Sequence, residues 1–155
     1  MDGTPTSDPS ILDAGTAERV RASVARQTLL TTLGVTVERL APGHVELRLA
    51  HRPDLTQQHG FVHAGAVSTI ADSACGYAAY TLLPVDRDIM TVHFAINLTA
   101  PAAQPALVAS GRVVRAGRTL TVCRGEVHGI GADGQRTLVA LIQATFMAVT
   151  TLSTS

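Results

Sequence analysis

The sequence contains no lysine: all 12 of its basic residues are Arg, which reads as genome composition rather than function. It carries no surplus charge of either sign. Twelve basic residues meet twelve acidic ones, which argues against a nucleic-acid surface or an anionic-membrane surface. Cysteine is nearly absent: Cys75 and Cys123 stand far apart, form no CxxC and give no disulfide framework. The opening residues MDGTPTSDPS have no apolar stretch of the kind a secretory leader needs, so a cytoplasmic, reducing setting is expected. No uninterrupted apolar run of eighteen residues exists, so no membrane span is expected. What is present is apolar: 46% of the 155 residues are hydrophobic and 15% charged, enough for one domain with a sizeable core and against disorder. A neutral chain of this kind often hides surface in an oligomer.

Residues 1–13 read as a loose polar tail, residues 14–150 as a single domain and residues 151–155 as a short tail. Apolar residues Val20, Val24, Leu29, Leu30 and Leu33 recur at helical spacing, so one amphipathic helix is expected from Thr16 to Leu33, stopped by Gly34. The period then falls to two. Val35 and Val37 alternate with polar residues, Pro42-Gly43 turns the chain, and Val45, Leu47 and Leu49 alternate again, which predicts a hairpin. The stretch HAGAVSTIADSACGYAAYTLL from His63 to Leu83 predicts a helix buried on nearly all sides, ended by Pro84. Four Val-, Thr- and Leu-rich strands follow, at Ile89–Thr99, Ala106–Arg115, Arg118–His128 and Arg136–Val149. Their short connections favour an antiparallel meander. Six strands and one long buried helix imply an α+β fold in which an antiparallel sheet wraps that helix, with a further helix at the N-terminus.

Two motifs fail on context. Gly129-Ile130-Gly131-Ala132-Asp133-Gly134 spells GxGxxG, but strand rather than helix follows it, so a glycine-rich hairpin turn is expected and not a dinucleotide site. His59 and His63 are four apart, yet Gly60 keeps His59 off the helix and no further ligand completes a set, so no metal site is expected. No GxSxG elbow supports a serine triad.

Asp72 is different. A carboxylate in the middle of a buried helix costs several kcal/mol, on the order given for buried ions, unless something offsets it. Such groups in clefts are more often functional than structural. The start of the same helix, His63-Ala64-Gly65, offers unpaired amides and the positive end of the helix dipole, suited to polarising a carbonyl. Ala64 and Asp72 are eight residues apart, roughly 12 Å along one axis. A base and an oxyanion donor acting on one carbonyl must both lie within about 3 Å of the reacting atoms. One chain cannot supply both. Two antiparallel helices across a two-fold axis can.

The pattern Gln57-x5-His63-Ala64-Gly65-x6-Asp72, on a buried helix followed by strands, resembles the PaaI-like acyl-CoA thioesterases of the hotdog fold. The resemblance spans roughly residues 33–149. It implies hydrolysis of an acyl-CoA to a free acid and coenzyme A by a homodimer with shared active sites, or a dimer of dimers (a homotetramer). By that resemblance Ala64 N–H holds the carbonyl oxygen, and Asp72 acts as general base or as nucleophile. Gln57, where relatives often carry Asn, and Thr91 position water and carboxylate. His63 and Gly65 shape the substrate-binding helix start, where relatives usually read His-Gly-Gly. Arg115 and Arg118, flanking Ala116-Gly117, would meet the coenzyme A phosphates. No metal or redox cofactor is implied. Two other functions compete on the same fold: an enoyl-CoA hydratase or dehydratase using His59 or His63, and a non-catalytic acyl-CoA-binding module.

Overall fold

A computed structural model describes residues 11–151 of the chain. Helix α1 runs Ala14–Arg26 and α2 Thr28–Leu33. Strands β1 (Thr36–Ala41) and β2 (His44–Ala50) follow, then a short 3-10 turn at Pro53–Leu55 and helix α3 (Ala64–Tyr80). The chain finishes with β3 (Arg87–Leu98), β4 (Ala106–Ala116), β5 (Leu120–Ile130) and β6 (Arg136–Thr150). No helix among the described residues is long and apolar enough to cross a membrane. The expected tails fall largely outside the described residues, as residues 1–10 and 152–155 do entirely.

All six strands form one antiparallel sheet in the order β1-β2-β4-β5-β6-β3. The sheet curls around α3. Val45, Leu47 and Leu49 of β2, Leu107 and Ala109 of β4, Cys123 and Val127 of β5, and Ala140, Ile142, Ala144 and Phe146 of β6 are all buried with it. Alternate burial along β2 and β5 follows the two-residue period that the sequence shows there. Helix and sheet meet closest at β4. A Cβ on Gly111 would stand 2.3 Å from the Ala74 carbonyl carbon, so only glycine lets α3 lie that near the strand.

Two expectations need correction. The N-terminal helix is interrupted: Gln27 takes an extended conformation (φ −75°, ψ 99°) and separates α1 from α2. Propensity alone did not mark the break, because Gln favours helix as well as its neighbours do. The four-strand meander is also wrong in its first member. Strands β4, β5 and β6 do form a meander, but β3 crosses to the far edge and pairs with β6. The connection, residues 99–105, can span roughly 23 Å when extended, and three strand spacings need only about 14 Å across a flat sheet. A short loop therefore does not require adjacency. The crossing brings Pro101 and Ala102 over the start of α3, where Ala102 C=O accepts the Val62 N–H at 3.0 Å.

The GxGxxG stretch is a hairpin turn, as expected. Gly131 N–H donates to Gln135 C=O at 2.8 Å, and Gly134 closes the turn at φ +81°.

Candidate active site

The loop before α3 is held from both sides. Arg52 donates to the Leu33 and Thr32 carbonyls at the end of α2 and forks onto Asp54 at 3.0 and 2.8 Å. That contact holds the Asp54 carboxyl below the usual range. Further on, Thr56 bridges Val62, and His63 N–H donates to Leu55 C=O at 2.8 Å. Between these ties the chain reverses at Gly60 (φ +83°). Gln57 stands at the base of the reversal, its Oε1 accepting the His59 N–H. No protein hydrogen bond among the described residues engages its Nε2, which leaves that group free to donate.

Helix α3 begins under this loop. His63 is its N-cap, with Nδ1 accepting the Gly65 N–H at 2.9 Å. A Cβ at Gly65 would approach that nitrogen at 3.1 Å, so glycine gives the ring its room. The cap uses the Gly65 amide and leaves the Ala64 N–H as the unpaired one at the helix start. Gln57 and Ala64 line a cleft of about 430 Å³ with Phe61, Leu98 and Pro101.

Asp72 lies two turns along, half-buried, and opens into another cleft of about 190 Å³. Thr91 Oγ1 donates to both of its oxygens at 3.1 and 3.3 Å. Burial raises the Asp72 carboxyl above its ordinary value, and the Thr91 hydrogen bond opposes that rise. The expected pairing of Thr91 with the acid is thus present. Ala64 and Gln57 do not line that cleft: within the chain the candidate site residues fall into two separate clefts.

The two arginines expected at coenzyme A lie apart from both clefts. Arg118 lines a third cleft with Arg87, Leu82 and Pro84. Arg115 pairs with Val122 just past a bulge in β4. Neither borders the clefts of Asp72 or Gln57. The cysteines are buried and unpaired. Cys123 donates through Sγ to Cys75 C=O, and burial pushes its thiol up to about 12, which removes it as a nucleophile at neutral pH.

Sequence reasoning missed the wall that closes the Asp72 cleft at its far end. Ser23 and Gln27, at the end of α1, both meet the Tyr77 hydroxyl there. No local pattern in the sequence marked it, because Tyr77 meets partners 50 and 54 residues away.

Known proteins are similar to this chain in sequence and fold. The family model of the thioesterase superfamily matches residues 59–132. A thioesterase family protein from Silicibacter pomeroyi, known by crystal structure, is 44% identical, with 88% of this chain and 100% of that chain covered and a TM-score of 0.86. A protein of Halobacterium salinarum named as an esterase is 32% identical over 137 residues, covering 84% of this chain and 90% of its own. The Escherichia coli PaaI protein shares the fold at a TM-score of 0.78 and 17% identity, with 89% and 96% covered. The long helix wrapped by a six-stranded antiparallel sheet agrees with those matches. The chain belongs to the thioesterase superfamily, and its fold is the hotdog fold of those hydrolases.

Proposed function

We propose that this hydrolase cleaves acyl-CoA thioesters as a homodimer, with each active site built from both protomers. One observation carries the reading: the residues suited to one carbonyl's chemistry fall into two clefts of the same protomer. Gln57 and Ala64 occupy one, Asp72 and Thr91 the other.

The free edge of the sheet supplies a way to join them. Strand β3 is twelve residues long and pairs on one side only. Its Met90, Val92, Phe94 and Leu98 are 50%, 55%, 41% and 51% exposed. A long apolar edge of this kind is a template for a second strand. Thr91 sits level with Asp72, while Leu98 borders the Ala64 cleft. An antiparallel pairing of two β3 strands about a two-fold near Phe94 therefore brings the Asp72 region of each protomer to the helix start of its partner.

In such a site the Ala64 N–H, at the positive end of α3, holds the thioester carbonyl oxygen as charge develops on it. The carboxylate of Asp72, oriented by Thr91, either takes a proton from water as water attacks the carbonyl carbon, or attacks that carbon itself. The C–S bond breaks and the thiolate leaves and is protonated; on the second route water then hydrolyses the acyl–Asp72 anhydride, so either route gives free acid and coenzyme A. Gln57 Nε2 donates to water or to the thioester. The reading needs no metal or redox cofactor. A hydratase reading gains no support from His63, whose Nδ1 is committed to the helix cap.

Release of free thiol from short, long and aromatic acyl-CoAs tests the proposal. Turnover of at least one ester that is abolished by Asp72→Ala supports it. Loss of enoyl absorbance from crotonyl-CoA without thiol release, or tight binding of all esters without turnover, overturns it.

A further inference from the structure

The face of the sheet turned away from α3 carries a cleft that no step of the hydrolysis uses. Side chains alternate along a strand. Ser110 and Arg112 of β4 and Arg124 and Glu126 of β5 therefore point opposite to the buried Ala109, Cys123 and Val127. These four residues line a cleft of about 240 Å³, with buried Gly125 and Ile142 beneath and Leu141 beside them.

Arg112 and Arg124 stand directly opposite each other in the β4–β5 ladder. Like charges so placed weaken strand pairing, and a carboxylate between them would offset the cost. None is there: among the described residues no carboxylate lies within 4.0 Å of either guanidinium. Glu126, two residues along β5 from Arg124, faces His128 instead, at 3.7 Å.

Ser110 adds a directed donor. His44 of β2 is 5% exposed, and its burial, followed by the charge of Arg112, lowers its imidazole pKa and keeps the ring neutral near pH 7. Its Nε2 lies 3.3 Å from Glu46 Oε1 and 2.9 Å from Ser110 Oγ. A carboxylate only accepts, so Nε2 carries the ring hydrogen and shares it between these two oxygens. Ser110 Oγ is thus the acceptor of that bond, and its own hydrogen is left to donate into the cleft it lines. The same polarity removes His44 as a base toward Ser110, so the pair is not a nucleophile.

We propose that Ser110, Arg112 and Arg124 bind the phosphate group of a small phosphate monoester or of free phosphate, at a site separate from the proposed active site. Two guanidinium charges match the charge of about −1.5 to −2 on a phosphate monoester near pH 7. Their forked N–H groups suit its oxygens, and the serine hydroxyl adds a third point of attachment. Glu126 repels a second anionic group, so the remainder of the ligand is neutral and lies along Leu141.

Calorimetry at low ionic strength tests this with inorganic phosphate, glycerol phosphate and acetate. Both phosphates are expected to bind at least tenfold more tightly than acetate. Arg112→Gln and Arg124→Gln should each weaken phosphate binding at least tenfold, and Ser110→Ala about threefold. Both arginines are exposed. Without anion each arginine variant should melt no lower than wild type, because the like-charge pair is gone. The His44 ring signals, followed by NMR, should shift when phosphate is added to wild type and stay in place in Arg112→Gln, which locates the anion. Tighter binding of glycerol phosphate marks an organic phosphate as the ligand, the reverse marks free phosphate, and both support the site. Phosphate that binds no more tightly than acetate, or binding unchanged by both arginine variants, overturns it. Coenzyme A is titrated last. Loss of its affinity in step with that for phosphate would place the substrate's own phosphate here and overturn a site separate from catalysis.

Discussion

Asp72 combines two opposing influences, one of which a single substitution removes. Burial favours its protonated form, while the Thr91 hydroxyl favours the carboxylate. The proposed reaction uses the carboxylate, so activity should fall as pH drops through its raised value. Thr91→Val deletes the hydrogen bond at nearly constant volume and should move the acid limb of the kcat/KM profile to higher pH. An unmoved limb would mean that Thr91 does not tune the acid. Asp72→Asn should lower kcat by about 10²–10⁴ with KM within a few-fold, the range of a lost acid–base group. The same variant should not weaken the fold. A carboxyl whose folded-state pKa is raised stabilises fully below its ordinary value and loses that contribution as pH rises through the raised one. Thermal melts should therefore show Asp72→Asn at least as stable as wild type at pH 7, with any advantage fading below pH 4, near the ordinary carboxylate value. Asp72 was legible in the sequence because one charge stands among apolar neighbours. Tyr77 was not, since a tyrosine inside an apolar helix looks like core until its partners in and just after α1 are known. Those partners lie 50 and 54 residues away in the chain.

At the level of elements, α3 is held by close approach to the sheet and by a clamp at its end. Gly111→Ala would drive a methyl group into the α3 backbone at Ala74. Neither strand nor helix backbone can yield locally, so the loss should be more than about 3 kcal/mol, beyond ordinary overpacking. Denaturant melts measure it, and a loss under about 1 kcal/mol would show that the two elements separate easily. At the other end Arg19→Met keeps bulk but deletes three hydrogen bonds to carbonyls. A cost of about 2 kcal/mol corresponds to a Tm lower by roughly 4–8 °C for a chain of this size. Strands and the buried helix were legible because their periods of two and their composition are local. The place of β3 was not. Nothing in its own residues distinguishes a neighbour of β4 from a neighbour of β6, and the loop before β4 is long enough for either. The Gln27 break was hidden for a related reason: Gln27 is not a helix-breaking residue, and the partner its side chain meets, Tyr77, lies on α3.

The whole molecule raises the question of how many chains make one site. The separation of Ala64 from Asp72 was already fixed by their spacing on one helix. The structure adds that different clefts receive them and that β3 presents an unpaired apolar edge between them. Mixing two inactive variants tests the shared site most directly. Asp72→Ala and Gln57→Ala homodimers each lack one required group in both sites, and Gln57→Ala is first shown to be strongly impaired. A mixed dimer has one site lacking both groups and one site lacking neither. Random exchange makes half the dimers mixed, so about a quarter of wild-type thiol release should return from the two-fold symmetry alone. Mixed dimers isolated through two affinity tags should reach about half of wild-type activity on the same argument. No recovery in a folded, verified mixed dimer would place Asp72 and Gln57 of the same chain in one site and contradict the shared arrangement.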